Sequence, residues 1–300
     1  MLSDLRFALR QLITDPGFSA GVVLMLALAP LPAAAPGDAP VLKPGSSFEL
    51  SFADADLPPT LYTMTQGTVV TPTVTVRLPD DYTPTGEFPV VVYVPGKDGG
   101  PHGNPYNAEA IAGKEGWIAV SLPLFKQSLD RDEPNGGIIV SFEDYPVLAR
   151  AYRIMLGRLF EAVPNIDRAR SAMIGFSNGA IAISVLVSHH DEFILTHFRA
   201  FGLVDHGMFH LMDLHKHRTR GCRFLILVGD QPEMGRELKL RQARLQQDAW
   251  GLVGVDVTCR VMENTGHEFN EPQMAMVQDW LRRGAVSAAT PPVATGRPSP

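Results

Sequence analysis

"ARSAMIGFSNGAIAISVLVSHH", residues 169–190, carries Ser177 with Gly175 two residues before it and Gly179 two residues after. The run up to Phe176 is short, apolar and free of alternation, as in a strand buried on both faces. The run after Gly179 is apolar almost all round, as in a helix buried behind a sheet. Ser177 therefore falls at a strand-to-helix turn. Such a turn strains the serine backbone, and strand and helix collide unless the residues two before and two after are small. A glycine-rich turn without chemistry would explain the glycines but not this placement. Ser177 is thus a candidate nucleophile. The backbone N–H of Asn178, at the start of the helix, is a candidate donor to an oxyanion.

The rest of the chain repeats the same grammar. "FPVVVYVPG", "GWIAVSLPL", "FRAFGLVDHG", "CRFLILVGD" and "VDVTCRVMENTGH" are further short apolar runs, each ending in turn residues. Ahead of them "SFELSF" and "VVTPTVTVRLP" alternate in period two, as half-buried strands of an antiparallel start do. Leu148, Tyr152, Met155, Leu156, Leu159, Phe160 and Val163 form one helical stripe that stops at Pro164. Near the end, Asn270 is the expected N-cap, Pro272 lies in the first turn, Met274, Val277 and Leu281 share a face, and Gly284 is the expected stop. Strands alternating with helices predict an α/β fold with a mostly parallel central sheet and helices on both faces.

A serine nucleophile at such a turn needs a base later in the chain, in the order Ser, acid, His. His267 in "MENTGHEFNEP" follows the last expected strand on a loop ahead of the final helix, and no other histidine has that placement. His206 and His210 have the i, i+4 spacing of a metal pair, but no carboxylate pattern accompanies them, so no metal site is read there. The second oxyanion donor is expected from the loop after "PVVVYV", which reads Pro95-Gly96-Lys97-Asp98-Gly99-Gly100. Gly96 and the backbone N–H of Lys97 are the candidates. Three carboxylates compete for the acid. Asp230 directly follows the strand "RFLILVG" and is favoured, Glu233 lies just beyond it, and Asp205 ends the preceding strand.

Over residues 65–284 the constellation resembles the α/β-hydrolase superfamily, and "NIDRARSAMIGFSNGA" looks most like the elbow of secreted feruloyl esterases and poly-hydroxybutyrate depolymerase-like esterases. The resemblance implies carboxylic-ester hydrolysis of a small-molecule substrate through a Ser-His-acid triad and an acyl-enzyme, with no cofactor. Two positions depart from it. Pro95-Gly96 stands where many relatives have His-Gly, and the position where relatives commonly hold the acid, three residues after the strand glycine, is Pro232. Two other readings stay open: a peptidase of the prolyl-oligopeptidase type, and a binding protein that kept the fold without turnover.

Composition narrows the partners. Twenty-six Lys and Arg against 32 Asp and Glu give a formal charge of −6 and no basic run, which argues against a nucleic-acid partner. Cys222 and Cys259 are the only cysteines, too few for a disulfide framework and wrongly spaced for zinc. Oligomeric state is not legible. Residues 1–35 pair Arg6 and Arg10 with an apolar run ending in Ala33-Ala34-Ala35, the profile of a signal peptide or an uncleaved membrane anchor. The first thirty residues also resemble the start of a MacB-type transporter permease. Residues 36–60 read as a Pro/Ala/Gly-rich linker running into the first strand, 61–284 as the catalytic domain, and 285–300 as a disordered tail. The long segment "FKQSLDRDEPNGGIIVSFEDY" is expected to cover the site, with Phe125, Ile138, Ile139 and Phe142 as apolar contacts.

Overall fold

The apolar runs become strands of a single eight-stranded sheet. The computed structural model describes residues 40–52, 57, 62–63, 72–96, 102–126, 140–207, 219, 221–231, 236–252 and 254–288. All of them belong to the unit Asp38–Pro300. Residues 1–39, on which the signal-peptide and permease readings fall, and residues 289–300 lie outside the described residues, as do Lys97, Ile138, Ile139, His210 and Glu233.

In chain order the described elements are β1 (Ser47–Ser51), β2 (Tyr62–Thr63), β3 (Thr73–Arg77), β4 (Val90–Val94), α1 (Pro105–Ala112), β5 (Ile118–Ser121), β6 (Phe125–Lys126), a 3-10 turn (Phe142–Asp144) and α2 (Tyr145–Ala162). There follow β7 (Ala172–Phe176), α3 (Asn178–Ser188), α4 (Glu192–His197), β8 (Ala200–Val204), β9 (Arg223–Gly229), α5 (Arg236–Leu252), β10 (Asp256–Met262) and α6 (Glu271–Ala288). The sheet order is β1-β3-β5-β4-β7-β8-β9-β10. β1 and β3 pair antiparallel, as does β3 with β5, and every pairing from β5 through to β10 is parallel. β2 and β6 form a separate two-stranded ribbon.

Period-two geometry sends alternate residues of each central strand to opposite faces, and both faces are apolar. Val90, Val92, Val94, Met173, Phe201, Leu203, Phe224, Ile226 and Val228 meet the helices α2 and α3, with Ala243 and Trp250 of α5. Val91, Tyr93, Ala172, Ile174, Leu225 and Leu227 meet α1 and α6 on the other side. The two helical layers expected from the sequence are therefore both present. All the parallel strands run one way, so the residues that leave their carboxyl ends gather along one edge of the sheet.

Two sequence readings are corrected by this architecture. Gly284 does not stop the last helix, which continues to Ala288. A Cβ at Gly284 would lie 1.5 Å from Arg223 Nη1, so the glycine lets a guanidinium press against the helix rather than ending it. Phe142 does not turn to the nucleophile. It packs on the ring of His189, 3.9 Å between centroids, at the far end of α3.

Candidate active site

Ser177 caps α3 with φ 53° and ψ −118°, a left-handed conformation that a non-glycine residue adopts only when its surroundings impose it. Those surroundings are close. A Cβ at Gly179 would sit 2.0 Å from the carbonyl oxygen of Val94, and one at Gly175 would sit 2.4 Å from the carbonyl carbon of Gly179. No side chain fits at either place. The Ser177 N–H donates to Val204 O at 2.9 Å, which ties the turn to the neighbouring strand β8.

His267 reaches the turn from the loop between β10 and α6. Its Nε2 lies 2.8 Å from Ser177 Oγ, and its Nδ1 lies 2.5 Å from Asp205 Oδ2. With the ring proton on Nδ1, the imidazole donates to the carboxylate, and Nε2 accepts from the serine hydroxyl. The ring of Phe176 packs 5.0 Å from the imidazole, and Phe269 stacks on Phe176 at 5.8 Å and on Tyr93 at 5.9 Å. That aromatic row backs the histidine on one side.

The carboxylate that meets His267 is Asp205, whereas Asp230, the one favoured from the sequence, bonds a loop amide instead. Asp230 is exposed at the end of β9, and its Oδ1 accepts the Thr265 N–H at 3.2 Å. It caps the loop that carries His267 rather than touching the imidazole. Asp205 leaves β8 with φ 54° and is fully buried. Its Oδ1 accepts the Gly229 N–H at 3.2 Å and a short bond from Arg236 Nη1, while Oδ2 accepts from Lys239 Nζ at 3.3 Å as well as from His267. Burial by itself would push this carboxyl up. The bonds from His267 and Arg236, with the charges of Lys239 and Arg236, outweigh burial and hold it below its ordinary value. Asp205 is therefore a carboxylate at neutral pH, facing a histidine whose side chain is 40% exposed.

Arg236 and Lys239 went unnoticed in the sequence, although a signal was present. They open α5, and cations in the first turn of a helix oppose its dipole, so their placement there points to a buried anion.

Asn178 begins α3, where the backbone N–H groups have no intrahelical carbonyl to meet, and its side-chain Oδ1 accepts the Val140 N–H at 3.1 Å. That bond ties the chain at Val140 to the serine turn. Gly96 is buried two residues past β4, at the same edge of the sheet. His206 is half-buried, and its Nδ1 accepts the Gly207 N–H at 3.0 Å.

Neither a protein-family model nor a curated protein sequence matches this chain. Solved structures do. A thermophilic esterase from the planctomycete Thermogutta terrifontis superposes with a TM-score of 0.51 at 14% identity, over 79% of this chain and 94% of that one. The fold is that of the α/β hydrolases. A carboxylesterase from Bacillus cereus matches at 19% identity and a TM-score of 0.48, over 65% of this chain and 88% of its own. A fungal esterase from Rhizomucor miehei matches at 13% identity and 0.49, over 82% and 86%. Ser177, Asp205 and His267 follow β7, β8 and β10 in that chain order. Among the described residues, no helix is long and apolar enough to cross a membrane.

Proposed function

We propose that this protein is a serine hydrolase that cleaves carboxylic esters of small molecules, with Ser177 as nucleophile, His267 as general base and acid, and Asp205 as the orienting carboxylate. The observation that carries the reading is the unbroken relay from Ser177 Oγ through the imidazole to Asp205, at 2.8 and 2.5 Å. His267 Nε2 takes the serine proton as Oγ attacks the ester carbonyl, and the same proton then goes to the departing alcohol. The C–O bond to the alcohol breaks and an acyl-Ser177 remains. A water molecule, deprotonated in turn by His267, releases the acid and restores the serine. Asp205 keeps the ring proton on Nδ1 and offsets the charge of the imidazolium in each half-reaction.

Negative charge on the carbonyl oxygen is expected to be met by the backbone N–H of Asn178 and by the loop after β4, where Gly96 and Lys97 are the proposed donors. The esterase 2 of Thermogutta terrifontis, similar in fold, has been observed phosphorylated by paraoxon, which makes organophosphates suitable probes here.

The reading is tested with p-nitrophenyl esters of graded acyl length and matched p-nitroanilides. Turnover is expected on short and aromatic acyl esters and to fall for long chains, with the anilides far slower and Ser177→Ala at background. A rate that climbs steadily to long chains would remove the short-acyl assignment. Anilide cleavage as fast as ester cleavage would favour the peptidase reading.

A further inference from the structure

The outer face of α5 is built to meet a copy of itself. Leu238, Leu245 and Leu252 recur at intervals of seven, and their exposures are 51%, 51% and 87%. At 100° per residue they fall within an arc of about 40°. The helix's buried residues, Arg236, Ala243, Gln246 and Trp250, centre roughly 145° away round the helix. The leucines are therefore not the edge of the face that packs on β9 and β10. They form a separate apolar stripe on the solvent side of an otherwise charged helix, where lone exposed leucines need no explanation but an ordered row does.

The charges beside the stripe say what covers it. Arg241 and Asp248 flank it most closely on one side, both exposed, four residues before and three residues after Leu245, with exposed Glu237 and Arg244 further round the same side. In an antiparallel helix pair, equivalent flanks of the two helices face each other. With a two-fold axis at Leu245, Leu238 of one chain layers on Leu252 of the other. Arg241 then comes within about one residue rise, ~1.5 Å along the axis, of the other chain's Asp248, and symmetry repeats the pair. A parallel pair would align the leucines but would not bring these opposite charges together.

We propose that α5 is the seam of an antiparallel two-fold homodimer, centred on Leu245. One helix pair lies at the small end of specific interfaces, so the dimer is expected to be reversible. The seam uses the face of α5 opposite Arg236 and Lys239, and it does not depend on the hydrolase reading.

Single-cysteine cross-linking on the full chain tests it, with wild type carrying buried Cys222 and half-buried Cys259 as the control. Leu245→Cys lies on the axis and is expected to give a disulfide-linked dimer under mild oxidation. Leu238→Cys alone gives none, and Leu238→Cys with Leu252→Cys does. Sedimentation of charge variants supplies the second arm. Arg241→Asp should weaken the dimer at least about tenfold, and Arg241→Asp with Asp248→Arg should recover it to within about threefold. Cross-linking by Leu238→Cys alone, no cross-link at Leu245→Cys, or an unrecovered double exchange each overturns the proposed seam.

Discussion

Asp205 and Asp230 end adjacent strands, but their environments assign them different work. One is buried and receives His267, Arg236, Lys239 and the Gly229 N–H, whereas the other is exposed and holds a loop amide. Asp205→Asn is expected to lower kcat by about 10⁴ while circular dichroism stays native, because the imidazole loses its tautomer control. Asp230→Ala should stay within about threefold of wild type in kcat and cost roughly 1 kcal/mol in stability, the worth of one cap bond. Steady-state kinetics and denaturant midpoints on the pair check both. The same carboxylate sets a pH dependence. Asp205 titrates lower in the folded chain than in the unfolded one, so its contribution is fully present above the unfolded value and is lost as pH falls through the folded one. The Tm gap between wild type and Asp205→Asn should therefore be constant near neutrality and close on acidification below about pH 4. A gap that widens on acidification would contradict this sign.

At the scale of elements, the serine turn was readable because strand, glycine spacing and buried helix all pointed to one geometry in residues 169–190. The central strands were equally plain, since burial on both faces leaves unbroken apolar runs. That His267 comes to Ser177 was legible from chain order alone. The carboxylate on its other nitrogen was not, because a carboxylate at a strand end looks the same in sequence whether it caps a turn or faces an imidazole. What separates the two is the company brought by α5, and α5 hid itself. Its buried face holds only Arg236, Ala243, Gln246 and Trp250, while three of its leucines point outward, so no inward apolar stripe marks it. Arg236 is the element's main contribution to the site. Arg236→Met is expected to leave Asp205 Oδ1 with the Gly229 N–H alone, let the carboxylate rotate, and lower kcat roughly 10- to 100-fold with little change in KM. Arg236→Lys should recover little, since an ammonium cannot reproduce the fork that also reaches Gln231 O at 3.2 Å. Equal losses in kcat and in folded fraction would reduce Arg236 to a structural role.

Across the sheet, parallel strands gather three loops from distant parts of the chain at one edge, and the order of β7, β8 and β10 fixes the chain order of Ser177, Asp205 and His267. Among the described residues, the end of β9 brings no carboxylate to the imidazole. It leads instead into the helix that neutralises the acid from behind, while the outer side of that helix presents the leucine stripe. An active site at this edge requires an activated serine. The most direct measurement is the intact mass of the protein after brief exposure to a fluorophosphonate, followed by peptide mapping. One adduct on Ser177 is expected in wild type, none in Ser177→Ala, and labelling slowed by orders of magnitude in His267→Ala and Asp205→Asn. Folded wild-type protein that takes up no label, or a label that maps to another serine, would contradict the account.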